Sequence, residues 1–174
     1  MQTKIIKLSI ITIIIFIIGI FFIGLNKDSI YNTKNLEGQT LKNVQLDNFS
    51  SNKIILEEDL KENNFTLINF WASWCSPCRL EHPFLLKLSS EKNLYLLGVN
   101  FKDKKDNAQL FLSEFGNPYD ELAKDDSGKH SVDFGIYGIP ESILIDKNLV
   151  IIKKFIGPIS EEDYIYIKNI LKDD

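Results

Sequence analysis

The chain contains two cysteines, Cys75 and Cys78, separated by Ser76 and Pro77. Two thiols at C-x-x-C spacing can close into a disulfide and reopen, and the thiolate is the nucleophile of that exchange. A helix beginning at Cys75 favours the ionised sulfur, because unpaired N–H groups and the macrodipole at a helix N-terminus stabilise negative charge. Cys75 is then the attacking sulfur. Cys78, one turn further and expected to be less accessible, attacks second and releases the mixed disulfide. Pro77 suits a first helical turn, where its missing N–H would have no partner anyway.

Other uses of the pair are weaker. A structural disulfide closing so short a loop constrains the unfolded chain little. Zinc takes about four ligands, and here two Cys are joined only by His82, one turn after Cys78, and a distant His130 or a carboxylate. A copper-carrying site of Cys75, Cys78 and His82 stays open on residue type, since sulfur and imidazole suit Cu(I). Haem attachment requires His directly after the second Cys, where Arg79 stands.

The elements needed to position such a pair are legible. Thr66–Trp71 is apolar enough for a central strand and runs straight into Trp74 and Cys75. Leu80, Phe84, Leu85 and Leu88 recur at helical spacing, predicting a helix over 76–89 with that face buried. A strand over Leu94–Asn100 completes a βαβ unit with a parallel pair. Before it lie a strand near Val44–Leu46 and a short helix over Glu57–Lys61. After it come a helix over 104–115, its start in the solvated run Lys102–Asp106, and a turn at Asp125–Gly128. Two strands, Ser142–Asp146 and Leu149–Ile156, flank a tight turn at Lys147-Asn148, and a helix over Glu161–Leu171 closes the chain. This order describes an α/β, thioredoxin-like fold, a central mixed sheet flanked by helices.

Ahead of the domain, Leu8–Leu25 is an uncharged apolar run of 18 residues, long enough to cross most of a hydrocarbon layer about 30 Å thick. No small-residue cleavage site follows it, so residues 1–25 are expected to stay as a transmembrane anchor, residues 26–39 to form a polar linker, and residues 40–174 to form the domain. Lys4 and Lys7 precede the span, keeping the N-terminus in the cytoplasm and sending the domain across the membrane. Taking those two from the 20 Lys and Arg leaves 18 against 24 acidic residues, a net of −6 beyond residue 25. So acidic a domain is a poor ligand for nucleic acid, whose binding rests on cations neutralising phosphates.

The blocks Asn69–Pro83 (NFWASWCSPCRLEHP) and Gly135–Asp146 (GIYGIPESILID), with the intervening Gly98–Tyr119, resemble the CcmG/DsbE family. These are membrane-anchored periplasmic thioredoxin-like proteins of cytochrome c maturation, and the resemblance spans about residues 40–165. It implies a reductant in an oxidising compartment. Electrons would come from a membrane reductase of the DsbD or CcdA type and pass to disulfides of apocytochrome c or of a maturation partner. No cofactor is implied, and the place implied is the inner membrane, single-pass, with the C-terminal domain in the periplasm. General exported reductases of the ResA type share the anchor and fold but are less similar around Tyr137–Glu141.

The resemblance also distributes roles around the cysteines. Pro140 matches the family's cis-proline, which leaves the backbone of Ile139 open to an extended substrate segment, as in strand addition. Glu81 and Glu141 align with acidic positions near the active site, where a carboxylate raises a thiol's pKa and can move protons. Trp74 shields the sulfurs and meets partners, whereas Trp71 at the strand end is core. His82 is a helix-face residue and Pro83 a structural one.

Overall fold

The computed structural model describes residues 2–25 and 36–172. The first segment is one α-helix, α1 (Gln2–Leu25). Its stretch Ile5–Phe22 has a mean hydropathy of 2.9. At about 1.5 Å per residue, 24 residues exceed the thickness of a bilayer core, so α1 is long and apolar enough to span one. Residues 26–35 of the expected linker lie outside the described residues.

The domain is built on a seven-stranded sheet of β1 (Gln45–Asn48), β2 (Ile54–Leu56), β3 (Phe65–Trp71), β4 (Leu94–Phe101), β5 (Glu121–Asp125), β6 (Glu141–Asp146) and β7 (Ile151–Ile156). Their order across the sheet is β2-β1-β5-β4-β3-β6-β7. β3 and β5 run parallel to β4, and the other pairs are antiparallel. Every residue of β3 is buried, as its apolar composition predicts for a strand covered on both faces. The fold is thioredoxin-like.

Alternation along the strands divides the core in two. Phe65, Leu67 and Trp71 of β3, with Leu96 and Leu144, pack beneath α3 (Ser76–Leu88), α4 (Lys105–Phe115) and α6 (Glu161–Ile170). Ile68 and Phe70, with Leu97, Val99 and Ile143, face Leu60 of α2 (Glu57–Lys61) and Phe134 and Ile136 beside α5 (Lys129–Asp133). Each fully buried Leu or Ile contributes roughly 1.5–3 kcal/mol. On the first face Gly98, Asn69 and Ser142 align across β4, β3 and β6, setting the two polar side chains side by side in the core.

The structure corrects several expectations. The inward face of α3 is Cys78, Glu81, His82, Leu85 and Leu88, whereas Leu80 is 69% exposed. β2, β5 and α5 were not foreseen. β7 begins at Ile151, and its connection to β6 is longer than a two-residue turn: Leu149 has φ +62°, and the Asp146 carboxylate accepts from the N–H groups of Asn148 and Val150. Ahead of β1, Gly38 N donates to Ile151 O and Leu41 N to Leu149 O, tying residues 38–41 to that hairpin.

Candidate active site

The strand-to-helix step delivers the cysteines. Cys75 is the N-cap of α3, in extended conformation, and its Sγ accepts from Cys78 N at 3.2 Å. The two sulfurs are joined in a disulfide with Cα atoms 5.3 Å apart. Pro77 lies in the exposed first turn, as its missing donor allows. Accessibility hardly separates the two cysteines, at 3% for Cys75 and 2% for Cys78, so the expected contrast is not present in this oxidised pair. Position on the helix still distinguishes them: only Cys75 sits at its N-cap.

Loop 72–75 is held from β4's far end. Asp103 accepts from Ser73 N at 2.6 Å and Ser73 Oγ at 2.9 Å, and also from Asn100 Nδ2. Trp74 donates its indole N–H to Lys102 O, leaving its ring 58% exposed beside Cys75. Arg79 donates to Ser73 O, with its guanidinium 4.9 Å from the centroids of both Phe111 and Phe115. The run Lys102–Asp106 is therefore more than a solvated helix start: its Asp103 clamps the approach to Cys75.

A groove of about 410 Å³ opens beside Trp74, between Phe101 and Lys102 on one side and Tyr137, Gly138 and Ile139 on the other. Ile139 also packs on the core cluster that includes both cysteines. The Ile139–Pro140 bond is cis, Pro140 is buried, and Pro140 O accepts from Gly157 N.

Glu81 is fully buried, one helical turn after Cys78 on the same face of α3. Its Oε1 accepts from Asn69 Nδ2 at 2.8 Å and its Oε2 from Ile159 N at 2.9 Å. Asn69 also donates to Ser142 Oγ and accepts from the Tyr119 hydroxyl at 2.7 Å. Burial pushes the Glu81 carboxyl up to about 7, against the pull of its two donors, which favour the ionised form. Tyr119 is held well above its usual value by burial and by the neighbouring Glu81. Its ring occupies the space that Gly98 leaves empty: a Cβ there would lie 2.7 Å from the ring.

Glu141 is buried too, but beside a cation. Lys154 Nζ lies 2.7 Å from its Oε2, and Oε1 accepts from Gly138 N. His82 Nε2 faces Gly116 O at 3.0 Å, and its ring packs edge-on to Phe111; burial lowers its pKa. Among the described residues no three His, Cys, Asp or Glu side chains gather as a metal site. Trp71 is 1% exposed and stacks on Tyr119.

Asn69, Asp103, Tyr119 and Lys154 are the site-shaping residues missed in the sequence. Asn69 alone carried a usable signal, a lone amide in an otherwise apolar strand, because a buried amide needs partners.

The Redoxin family profile matches residues 34–170. The thiol:disulfide interchange protein HelX of Rhodobacter capsulatus is 39% identical over 127 residues, covering 73% of this chain and 72% of its own length. DsbE of Pseudomonas fluorescens is 36% identical over 138 residues, covering 79% and 76%. CycY of Rhizobium leguminosarum is 46% identical over 97 residues, covering 56% of this chain and 52% of its own. The thioredoxin domain of a thiol-disulfide oxidoreductase from Bacteroides vulgatus superposes with a TM-score of 0.65 at 20% identity, over 78% of this chain and 97% of that one, and shows the shared fold.

Proposed function

Because the chain belongs to the DsbE family of thiol:disulfide interchange proteins and carries a Redoxin domain, we propose that it is a membrane-anchored reductant serving cytochrome c maturation. In this reading residues 1–25 anchor it in the inner membrane, residues 26–39 tether it, and residues 40–174 work in the periplasm. The observation that carries the reading is the placement of Cys75 at the N-terminus of α3, directly after Trp74, which lines a groove together with Tyr137–Ile139.

The Cys75 thiolate attacks one sulfur of a partner disulfide, forming a mixed disulfide and releasing the partner's other sulfur as a thiolate. Cys78 then attacks Cys75 Sγ, closing the Cys75–Cys78 disulfide and freeing the second partner thiol. Two electrons leave the protein and reduce the partner, and the thiol protons released here balance those taken up by the partner thiolates. Glu81, on the same buried face as Cys78, takes the proton Cys78 gives up. Ile139 offers backbone to the incoming segment, and Pro140 shapes that approach. The partner is an apocytochrome c disulfide or a maturation protein, and a membrane reductase of the DsbD or CcdA type restores the dithiol. The resemblance of the Asn69–Pro83 and Gly135–Asp146 blocks supports this pathway.

Trapping tests it. The Cys78→Ser protein, expressed in cells, should accumulate mixed disulfides with a c-type apocytochrome or a maturation factor, and Cys75→Ser should accumulate none. Capture of unrelated exported proteins alone would replace the dedicated reading with a general reductase. Absence of any adduct, with no dithiol–disulfide interconversion by the purified chain, would overturn reduction itself.

A further inference from the structure

The groove-facing loop Gly135–Glu141 is held by a buried cation. We propose that Lys154 is a positioning residue, whose ammonium fixes this loop and thereby the register in which a partner's disulfide segment meets Cys75. The inference rests on the reading of the groove as the partner's seat.

The geometry is specific. Lys154 stands opposite Ile143 in the β6–β7 pairing, and Glu141 lies two residues before Ile143, so the two charged side chains are diagonal neighbours on one face. Their side chains are 1% and 7% exposed. Lys154 Nζ donates to Gly135 O at 2.6 Å, at the start of the loop. It approaches Glu141 Oε2 at 2.7 Å, at the loop's end, as an ion pair outside hydrogen-bond angles. It also sits 5.3 Å from the centroid of the Tyr137 ring. Glu141 in turn accepts from Gly138 N at 3.2 Å. One ammonium thus grips both ends of the loop and, through Glu141, its middle.

Stability alone does not account for the arrangement, since replacing a buried ion pair with packed apolar side chains is often neutral or stabilising. What apolar replacements would lose is direction: the acceptor at Gly135 O and the charge that orients Glu141 toward Gly138 N. Of the residues that line the groove, Tyr137 and Gly138 are the ones these contacts reach. The pairing also separates Glu141 from the role expected of it, because its carboxylate is turned to Lys154 and the loop.

The test uses the reduced full chain in detergent, with Lys154→Met and the double variant Glu141→Gln/Lys154→Met, which leaves no unpaired buried charge if the single variant fails to fold. Two quantities are read: amide hydrogen exchange over residues 135–139, and the second-order rate constant for a C-x-x-C-H peptide disulfide divided by that for a small aromatic disulfide. Loop exchange should rise, and the peptide-to-small ratio should fall, each about tenfold, because a loosened loop disturbs only a substrate that lies along it. A folded variant whose ratio stays within about twofold of the parent overturns the proposal. So does unchanged exchange. If the parent protein reduces the small disulfide but not the peptide while exchange still rises in the variants, the groove reading fails and the hold on the loop stands.

Discussion

Glu81→Gln should abolish a pH dependence of stability that the buried carboxyl imposes. In the fold this group is pushed from 4.5 to about 7 by burial, while in the unfolded chain it returns to its ordinary value. Because the folded protein holds the proton more tightly, the group's contribution is complete below about pH 4.5 and is lost as pH rises through about 7. At about 1.4 kcal/mol for each tenfold change in proton affinity, the loss is about 3 kcal/mol. Gln cannot titrate. It carries its own penalty of about 1 kcal/mol, because its amide must point a donor at either Asn69 Nδ2 or Ile159 N, but that penalty is independent of pH. The assay is urea unfolding of the oxidised full chain in detergent between pH 4.5 and 8, followed by tryptophan fluorescence, since both tryptophans, Trp71 and Trp74, lie in the domain. The advantage of the parent over the variant should shrink by about 3 kcal/mol across that range and change sign in its lower half, at about pH 5–5.5, where the loss equals the Gln penalty of about 1 kcal/mol. A difference constant to within about 0.5 kcal/mol would show that Glu81 does not titrate in this window and would remove it as the proton acceptor for Cys78.

Three further substitutions test the same helix and network. Tyr119→Phe removes the hydroxyl that donates to Asn69 Oδ1 and should lower stability by about 1–3 kcal/mol in urea unfolding, the usual cost of a buried acceptor left unpaired. Leu80→Ala should change stability by no more than about 0.5 kcal/mol, as its side chain faces solvent, whereas Leu85→Ala, in the core, should cost about 2–5 kcal/mol by thermal unfolding.

That last contrast marks where the sequence was opaque. The apolar runs of β3 and β4 and the C-x-x-C at a strand end were legible because burial on both faces makes these strands predominantly apolar, with few polar residues to confuse the pattern. α3 was placed along the chain with Leu85 and Leu88 rightly inward and Phe84 partly so, but Leu80 was wrongly counted on that face. Its true inward face includes Glu81 and His82, and a hydrophobic frame cannot choose a face with two polar residues over one starting at Leu80. β5 was invisible for a related reason: Glu121, Lys124 and Asp125 make it look like surface, while Glu121 accepts from Tyr95 and Asn48 and Asp125 accepts from the N–H and hydroxyl of Ser131. Asp103 was hidden inside a run of charges. In each case the polar residue that defeated the pattern is one whose side chain is bonded by groups outside its own element, which a local pattern does not show.

The two acids that the sequence treats alike illustrate what the fold adds. Glu81 and Glu141 are both buried acids near the C-x-x-C, yet one is paired with a cation and the other is not. Lys154 Nζ lies 2.7 Å from Glu141 Oε2, and the other carboxylate oxygen accepts from Gly138 N, so this carboxylate is turned to the cation and the loop. Among the described residues no Lys, Arg or His forms an ion pair with Glu81, and two N–H donors alone do not offset its burial. A carboxyl pushed up to about 7 changes charge near neutral pH, where a thiol exchanging its proton has use for it. The proposed mechanism accordingly gives proton transfer to Glu81, and the proposed hold on the loop gives orientation to Glu141. The predicted signatures are correspondingly different: a pH-dependent stability for the first, and a substrate-dependent rate for the residue that holds the second.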